Sequence, residues 1–486
     1  MTRSTKKARA FVLIVLWLIL YSLAGSNCAH AEDPSYNYSY WGDTVASPAA
    51  YLATTLLDGE KLGTGPLKEP SDIHVSGDQQ VYIMDSGNNR IIITDSNFEL
   101  ITVVDSFEHD GKTDCFLNPQ GLYVTEDKHV YVADTDNGRV VHLDNNFNLI
   151  NIIESPESEM LHETFVFRPA RVVVDKAKRV YVMSIGVFDG FMEFNADGTF
   201  TTFIGANRVY VDPVEYFWKL VATREQRSQM VQFTPTEFTN LDIDQDGFIY
   251  ATNADQYGDN IKKLNAQGTD ILRRDGYIKP CGDIRYTVVD GPSRLVDIDV
   301  ADCEIYSVLD SKRGRIFTYN SDGYLLYIFG GLGNRLGEFN MPKAIERLGD
   351  NFLVLDKAFG EITVFEPTEY GRTLNEAVRS YYRGEEEKAF ELFAKTANLN
   401  ANFEYAYSGI GKSLLRQNKY KEAADFFREG MDRKNYSKAF LLYRREVMRD
   451  YFPKVMTGFA VLVLGILLLR VFAGRTRKRR KGGFSY

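Results

Sequence analysis

The sequence predicts an all-β propeller of six blades, followed by an α-helical repeat segment and one transmembrane helix. Three observations predict this fold class. A segment with two short strands and a polar turn between them recurs six times between residues 81 and 366. Two helical segments after residue 372 align at a spacing of 34 residues, and an apolar run near the C-terminus ends in a basic cluster. Internal repetition of this kind identifies repeat architectures.

The six copies share a pattern of short apolar strands around a polar turn. They are VYIMDSGNNRIIITD (81–95), VYVADTDNGRVVHLD (130–144), VYVMSIGVFDGFMEFN (180–195), IYATNADQYGDNIKKLN (249–265), IYSVLDSKRGRIFTYN (305–320) and FLVLDKAFGEITVFE (352–366). An alternating segment precedes each copy, usually after a proline, and Pro70, Pro119 and Pro169 are about 50 residues apart. Four short strands in a unit of this length are typical of a propeller blade.

The ring of blades must close, and the last copy has no fourth strand because a helical pattern begins after residue 367. Residues 51–70 resemble residues 324–342, which contain a fourth strand and the crossover to the next blade. We therefore expect residues 51–57 to form the outer strand of blade six. This strand would pair an otherwise open sheet edge.

One polar pair marks the repeat: an Asp at the end of a strand and an Arg five residues later. The positions are Asp85 with Arg90, Asp134 with Arg139, Asp310 with Arg315, and Asp356 with Glu361 in place of the Arg. A catalytic group has no reason to recur in successive blades, whereas a packing contact does. We interpret these residues as structural, with the Asp accepting backbone N–H groups and the Arg bridging to the neighbouring blade.

The stretch YVADTDNGR (131–139), its copies, and FGGLGNRLGEFNMP (329–342) resemble the NHL-repeat family over about residues 50–368. The resemblance implies a six-bladed propeller that binds proteins, nucleic acids or other ligands on one face. A minority of the family resembles lyases or lactonases. For this chain, an enzyme with carboxylates and an Asn around the channel therefore stays open as an alternative.

No cofactor and no metal site are predicted. Asp242, Asp244 and Asp246 precede Gly247 as in a calcium loop, but the twelfth position is Asn253 instead of a bidentate Glu. Amidating lyases that resemble the NHL-repeat family hold zinc with several histidines, whereas here only His74 lies on a predicted inner strand.

Three cationic residues follow strand-opening prolines near one rim of the predicted propeller: Arg171, Arg294 and Lys343. They are candidate contacts for an anionic or sugar ligand. An insertion at residues 211–233 begins with a helix-start pattern and carries Trp218. It would either pack on the propeller or present Trp218 to a partner. Cys281 and Cys303 could form a disulfide or remain thiols, because sequence does not fix connectivity.

The helical segment at 372–450 contains two similar units, in which Ala389 aligns with Ala423 and Phe393 with Phe427. It resembles tetratricopeptide repeats, which usually bind peptides or proteins. A plain amphipathic helical bundle is the alternative. A protein partner near the membrane follows from the repeat interpretation.

The two ends of the chain carry targeting patterns. The predicted divisions are a signal peptide at 1–31, the propeller at 32–368, helical repeats at 372–450, a transmembrane helix at 455–473 and a basic tail at 474–486. The apolar run is long enough to cross a bilayer, and the basic tail marks the cytoplasmic side. The prediction is a single-pass plasma-membrane protein with its N-terminal ectodomain outside.

Function follows from this organisation as a hypothesis. The protein is expected to be a membrane-anchored extracytoplasmic binding or scaffold protein, with a carbohydrate or peptide ligand on the propeller face and a protein partner at the helical repeats. The chain is acidic, with a net charge of −9, which disfavours nucleic acid. The alternative is a propeller enzyme, a lactonase-like hydrolase or lyase with or without a divalent metal.

Overall fold

The structure is a computed structural model. It describes residues 35–156, 161, 165–207, 217–218, 221–223, 236–254 and 259–481, with side chains described as far as residue 473. The predicted signal peptide and most of the 211–233 insertion lie outside the described residues. The chain divides into a propeller unit, residues 1–38 and 44–368, and a helical unit, residues 39–43 and 369–486.

Short strands make up the propeller unit. They are β1 (Tyr36–Tyr38), β2 (Thr44–Ala46), β3 (Tyr51–Asp58), β4 (Asp72–Val75), β5 (Val81–Asp85), β6 (Arg90–Thr94), β7 (Leu100–Val104), β8 (Ser106–His109), β9 (Lys112–Cys115), β10 (Gly121–Val124), β11 (Val130–Asp134), β12 (Arg139–Leu143), β13 (Leu149–Ile153), β14 (Pro169–Val174), β15 (Val180–Ser184), β16 (Gly190–Phe194), β17 (Phe200–Gly205), β18 (Phe238–Ile243), β19 (Ile249–Asn253), β20 (Ile261–Leu264), β21 (Leu295–Val300), β22 (Tyr306–Asp310), β23 (Arg315–Tyr319), β24 (Leu325–Phe329), β25 (Gly331–Leu332), β26 (Glu338–Phe339), β27 (Pro342–Leu348), β28 (Asn351–Asp356) and β29 (Glu361–Pro367).

Six antiparallel sheets form the blades, as the repeat predicts. Their strand orders are β4-β5-β6-β7, β10-β11-β12-β13, β14-β15-β16-β17, β18-β19-β20, β21-β22-β23-β24 and β27-β28-β29-β3. In the described residues, blade four has three strands and a single further bridge between Leu264 and Asp270. The predicted all-β six-bladed propeller is confirmed.

The ring closes through the N-terminal strand, also as predicted. Strand β3 pairs antiparallel with β29, from Tyr51 opposite Pro367 to Asp58 opposite Glu361. Tyr51 is buried, and its ring centroid lies 5.0 Å from that of Phe329 in blade five and 4.9 Å from that of Phe352 in blade six. The closing strand is therefore held both by backbone pairing and by an aromatic cluster that joins two blades.

Apolar side chains from facing blades fill the space between them. Met84, Ile91 and Ile93 of blade one, for example, pack in one buried cluster with Val132 and Val141 of blade two. The second strands β5, β11 and β22 are buried along their whole length, because both of their faces are covered by a neighbouring blade.

Five helices form the second unit. They are α1 (Glu369–Arg383), α2 (Glu386–Leu399), α3 (Glu404–Arg416), α4 (Tyr420–Glu429) and α5 (Arg433–Lys481).

Consecutive helices pack against each other through small residues. A Cβ at Gly409 would lie 2.6 Å from the Phe393 ring, and one at Gly411 would lie 2.8 Å from the Phe427 ring. The two phenylalanines that align in sequence thus occupy similar glycine-lined positions.

Helix α5 continues into the apolar segment at 455–473. Its most apolar window has a mean hydropathy of 2.4 and is not buried within the described residues. The helix is long and apolar enough to cross a membrane.

We predict that Tyr51→Ala lowers the free energy of unfolding of the propeller by about 3 kcal/mol, because the large buried ring leaves a cavity at the closing strand. Leu52 of the same strand is 54% exposed, so Leu52→Ala should lower the free energy of unfolding by less than about 1 kcal/mol. Thermal unfolding of the full chain in detergent measures both. Equal destabilisation by the two variants would contradict this account of ring closure.

Candidate functional site

The repeat signature fixes the loop that enters each blade. In blade one, Asp85 accepts hydrogen bonds from the backbone N–H of Lys68 at 2.8 Å, the Asn88 amide at 2.8 Å and Arg90 Nε at 2.7 Å. In blade two, Asp134 has the same set of partners at Leu117, Asn137 and Arg139. The Asp therefore ties the crossover before the first strand to the end of the second strand.

Arg90 and Arg139 bind within their own blade and its entering loop, so the predicted bridge to a neighbouring blade is wrong for these two residues. Arg90 pairs with Asp85 of the same hairpin. Arg139 pairs with Asp134 and also donates two hydrogen bonds to Asp114 of the β8–β9 hairpin, which lies in the crossover between blades one and two.

Blades five and six depart from this arrangement. Asp310 accepts from the backbone N–H of Arg294 and faces Arg313 at 3.4 Å, whereas Arg315 lies over the Tyr36 ring. In blade six, Asp356 accepts only backbone N–H groups, from Asn340, Met341, Ala358 and Phe359.

The first strands of the six blades, β4, β10, β14, β18, β21 and β27, surround the ring centre. Charged and amide side chains lie among them: Asp72, His74, Arg171, Asn240, Asp242, Asp297, Asp299, Lys343, Glu346 and Arg347. These side chains leave a central cavity of only about 30 Å³. We call them the ring-centre network.

Carboxylates of this network join consecutive blades at four of the six junctions. In every case a carboxylate of one first strand accepts a backbone N–H of the following first strand. The bonds are Leu122 N–Asp72 (2.9 Å), Val300 N–Asp242 (2.8 Å), Ile345 N–Asp297 (2.6 Å), Arg347 N–Asp299 (3.2 Å) and Val75 N–Glu346 (2.9 Å). These bonds satisfy amides on the open edges of β4, β10, β21 and β27.

Blades two and three meet differently, because Gly121 holds the equivalent position of blade two. A Cβ there would lie 2.5 Å from the carbonyl oxygen of Ala170, so the two backbones approach too closely for a side chain. Arg171 then spans the gap, donating to the carbonyl oxygens of Gln120, Ala170 and Ser71.

Burial shifts the pKa values of this network. It raises the pKa of Asp72, Asp242, Asp299 and Glu346 above the ordinary range. Burial, with the Asp72 charge as a further cause, raises the pKa of Asp297 to about 7.

The basic members shift in the opposite direction. Burial lowers the pKa of His74 to about 4, and the Arg171 charge together with burial lowers that of Lys343 to about 8. Asp297 and Lys343 are therefore an acid and a base whose protonation changes near neutral pH.

Both ring nitrogens of His74 face other protein groups at the ring centre. His74 Nδ1 faces Glu346 at 3.4 Å and its Nε2 faces the Val124 carbonyl at 3.3 Å. Among the described residues, no three His, Cys, Asp or Glu side chains converge as metal ligands. The aspartates of the calcium-like loop separate: Asp242 joins the ring-centre network, and Asp244 accepts backbone N–H groups of its own turn.

Antiparallel pairing gives the propeller two unlike faces. The hairpin face carries the turns between first and second strands, and the signature face carries the Asp–Arg turns and the crossovers. A cavity of about 430 Å³ opens on the hairpin face between the turns of blades two, three and four. Its lining includes Tyr123, Asp127, His129, Tyr131 and Lys178.

The structure brings together two of the three candidate ligand residues. Arg171 is buried in the ring-centre network, and Lys343 is half-buried beside it. Arg294 is exposed elsewhere, in the loop held by Asp310. Trp218 is 57% exposed and touches Phe217. Most of its insertion is outside the described residues.

No disulfide joins Cys281 to Cys303 in the described residues. The Cys281 carbonyl accepts from Asn260 at the edge of blade four, whereas Cys303 lies in the turn between β21 and β22 next to Asp302. The two residues thus belong to separate loops. Burial also raises the pKa of the Cys281 thiol to about 11, which disfavours its reactive thiolate.

Comparisons with known proteins agree with the repeat. A family model described as the NHL repeat matches residues 116–143, in blade two. A search of curated proteins gave no match. The chain therefore contains an NHL repeat within a six-bladed β-propeller.

Several solved structures are similar at low identity. Virginiamycin B lyase from Staphylococcus aureus is 10% identical with a TM-score of 0.40, over 65% of this chain and 100% of that one. A streptogramin B lyase is 11% identical with a TM-score of 0.40, over 66% and 100%. A protein of unknown function from Bacteroides thetaiotaomicron is 14% identical with a TM-score of 0.42, over 67% and 79%.

We predict that Asp297→Asn flattens the pH dependence of stability. Because folding raises the pKa of Asp297 from 3.8 to about 7, its contribution is fully present below pH 3.8 and is lost as the pH rises through 7. Asn cannot titrate, so the variant should be more strongly destabilised near pH 5.5 than near pH 8.5. Urea unfolding at both values measures this difference.

The matched control is Glu60→Gln, at an exposed carboxylate that does not belong to the ring-centre network. Its effect on the free energy of unfolding should be the same at both pH values. A destabilisation by Asp297→Asn that does not change with pH would rule out the inferred pKa shift.

Proposed function

We propose that the protein is a membrane-anchored extracytoplasmic binding protein. The propeller binds a carbohydrate or peptide ligand on its hairpin face, and the helical repeats bind a protein partner near the membrane. The observation that carries this proposal is the contrast between the 430 Å³ cavity on that face and the 30 Å³ left at the ring centre. The first is large enough for a small ligand, whereas the second holds no more than a water molecule or two.

The chemistry of the hairpin-face cavity supports a polar ligand. Tyr131 is buried and stacked on His142 at 4.0 Å, and His142 contacts the His129 ring nitrogen at 2.9 Å. These fixed rings lie beside charges of both signs, such as Asp127 and Lys178. Sugar hydroxyls and peptide groups both donate and accept hydrogen bonds, so they can pair with either charge.

Anchoring rests on α5 and on the charges around it. The apolar part of the helix is followed by the basic run RTRKRRK at 475–481. Basic residues beside a span favour the cytoplasmic side. The predicted signal peptide at 1–31 supports the same orientation, with the propeller outside the plasma membrane.

The helical unit supports binding of a protein partner, and the charge of the chain disfavours a nucleic-acid partner. Its helices pack in sequence order, and the aligned Phe393 and Phe427 are buried against glycines of α3. Helical pairs repeated at 34 residues commonly form surfaces for peptides or proteins. The acidic net charge of the whole chain disfavours a polyanionic partner.

An enzymatic role, as a lactonase-like hydrolase or lyase, is the second candidate, and one observation favours it. Asp297 and Lys343 have pKa values shifted toward neutrality and lie in one network with Arg171. Such shifted pairs occur at catalytic sites, although structural networks also produce them.

Binding to the full chain in detergent tests the main proposal. We would titrate xylotriose, cellotriose, chitotriose and trialanine by calorimetry, and we expect at least one to bind. Lys178→Ala, which removes a lining charge, should weaken that binding about tenfold. Lys128→Ala is the matched control, because Lys128 pairs with Asp78 outside the cavity. It should change affinity less than about twofold.

Three outcomes would count against binding as the function. The first is no binding of any probe, and the second is equal loss of affinity in both lysine variants. The third is conversion of a bound probe, seen by mass spectrometry and abolished by Asp297→Asn, which would support the enzyme instead.

A further inference from the structure

Blade five uses its signature arginine differently from blades one and two. In those blades the guanidinium is neutralised by the Asp five residues earlier, at 2.7 and 2.8 Å. In blade five, Arg313 takes that place, facing Asp310 at 3.4 Å and Asp283 at 3.5 Å. The signature arginine, Arg315, is released from its usual partner.

Arg315 is instead held by an aromatic ring from the start of the described chain. Its guanidinium carbon lies 4.5 Å from the centroid of the Tyr36 ring. The Tyr36 hydroxyl donates to Asp283 at 3.1 Å, which fixes the ring. A guanidinium held by its flat face keeps the N–H groups at its edge available for two coplanar oxygens.

A cavity of about 360 Å³ lies next to this arginine on the signature face. Its polar lining consists of Ser35, Tyr36, Lys312, Arg313, Arg315 and Glu338. The Gly330–Gly331 backbone and Leu332 contribute part of its wall. This cavity, which we call the blade-five pocket, opens on the face opposite the 430 Å³ cavity.

The charge balance of the blade-five pocket favours an anion. Neither Arg315 nor Lys312 forms an ion pair in the described part of the chain, whereas Arg313 has two carboxylate partners. The single carboxylate in the lining, Glu338, accepts the backbone N–H of Arg335 at 3.1 Å. In an acidic protein, two cations without carboxylate partners beside one cavity form a local positive site.

We propose that the blade-five pocket binds the anionic group of a small polar molecule, a carboxylate or a phosphate. Arg315 donates two N–H groups to two oxygens of the anion, and Lys312 adds a second positive charge at the entrance. Both anions present paired oxygens at the spacing that guanidinium recognises. The site is independent of the ligand proposed for the hairpin face.

The sequence carries a signal for this site. The turn of blade five reads SKRGR, whereas blades one and two have SGNNR and TDNGR. The added Lys312 and Arg313 let one arginine replace another at Asp310. The displaced Arg315 packs on the ring of Tyr36, which is distant in sequence.

Calorimetry on the full chain in detergent tests the proposal with glucuronate, glucose 6-phosphate and glucose. We expect one or both anionic sugars to bind and glucose not to bind. The anionic sugar with the higher affinity shows whether the pocket prefers a carboxylate or a phosphate. Arg315→Ala should weaken binding at least tenfold. Arg315→Lys, which keeps the charge but loses the paired donors, should give an intermediate loss.

Two further variants separate binding from folding. Lys312→Ala removes an exposed side chain and should weaken binding about threefold with an unchanged unfolding temperature. Arg273→Ala removes the same charge as Arg315→Ala from a residue that pairs with Asp322 outside the pocket, so affinity should change less than about twofold. Absence of binding by both anions, equal binding of glucose, or equal effects of Arg315→Ala and Arg273→Ala would overturn the proposal.

Discussion

The hydrogen bond from a first-strand carboxylate to the backbone N–H of the next blade is the interaction on which the ring depends. First strands have neighbours on only one side within their sheets, so their other edge faces the centre. Five carboxylates satisfy amides of that edge across four of the six blade junctions. Because the carboxylates are buried, their removal would leave both an unpaired amide and a cavity. The side chains that form these bonds also occupy the ring centre, where a cavity of only about 30 Å³ remains.

Repetition made the fold predictable from sequence. Copies of the Asp–Arg turn gave the number of blades, and the likeness of residues 51–70 to 324–342 gave the closing strand. The ring-centre network was missed because β-bulges change the alternation of the first strands. In β21 the register shifts between Leu295 and Asp297, so Leu295 packs in the apolar core while Asp297 faces the centre. Strands β14, β18 and β27 carry bulges at the same place.

The signal that could have found the network is the pair of carboxylates at alternate positions in LVDIDV (295–300), a strand otherwise made of apolar residues. Other contacts could not be predicted from local sequence patterns. The exchange of Arg315 for Arg313 at Asp310 depends on a tyrosine from the other end of the propeller unit. The positions of the two loops that carry Cys281 and Cys303 likewise cannot be predicted from the spacing of the cysteines in the sequence, so the missing disulfide could not be predicted either. Function is therefore expected at features that differ between blades, on the two unlike faces.

Hydrogen exchange resolved to single amides tests the central claim most directly. The relevant amides are those of Val75, Leu122, Val300, Ile345 and Arg347. The account predicts that they exchange as slowly as amides paired between β5 and β6, because each is bonded to a buried carboxylate. Exchange as fast as that of unpaired amides on the outer strands β7 and β13 would contradict it. The blades would then be joined by apolar packing alone.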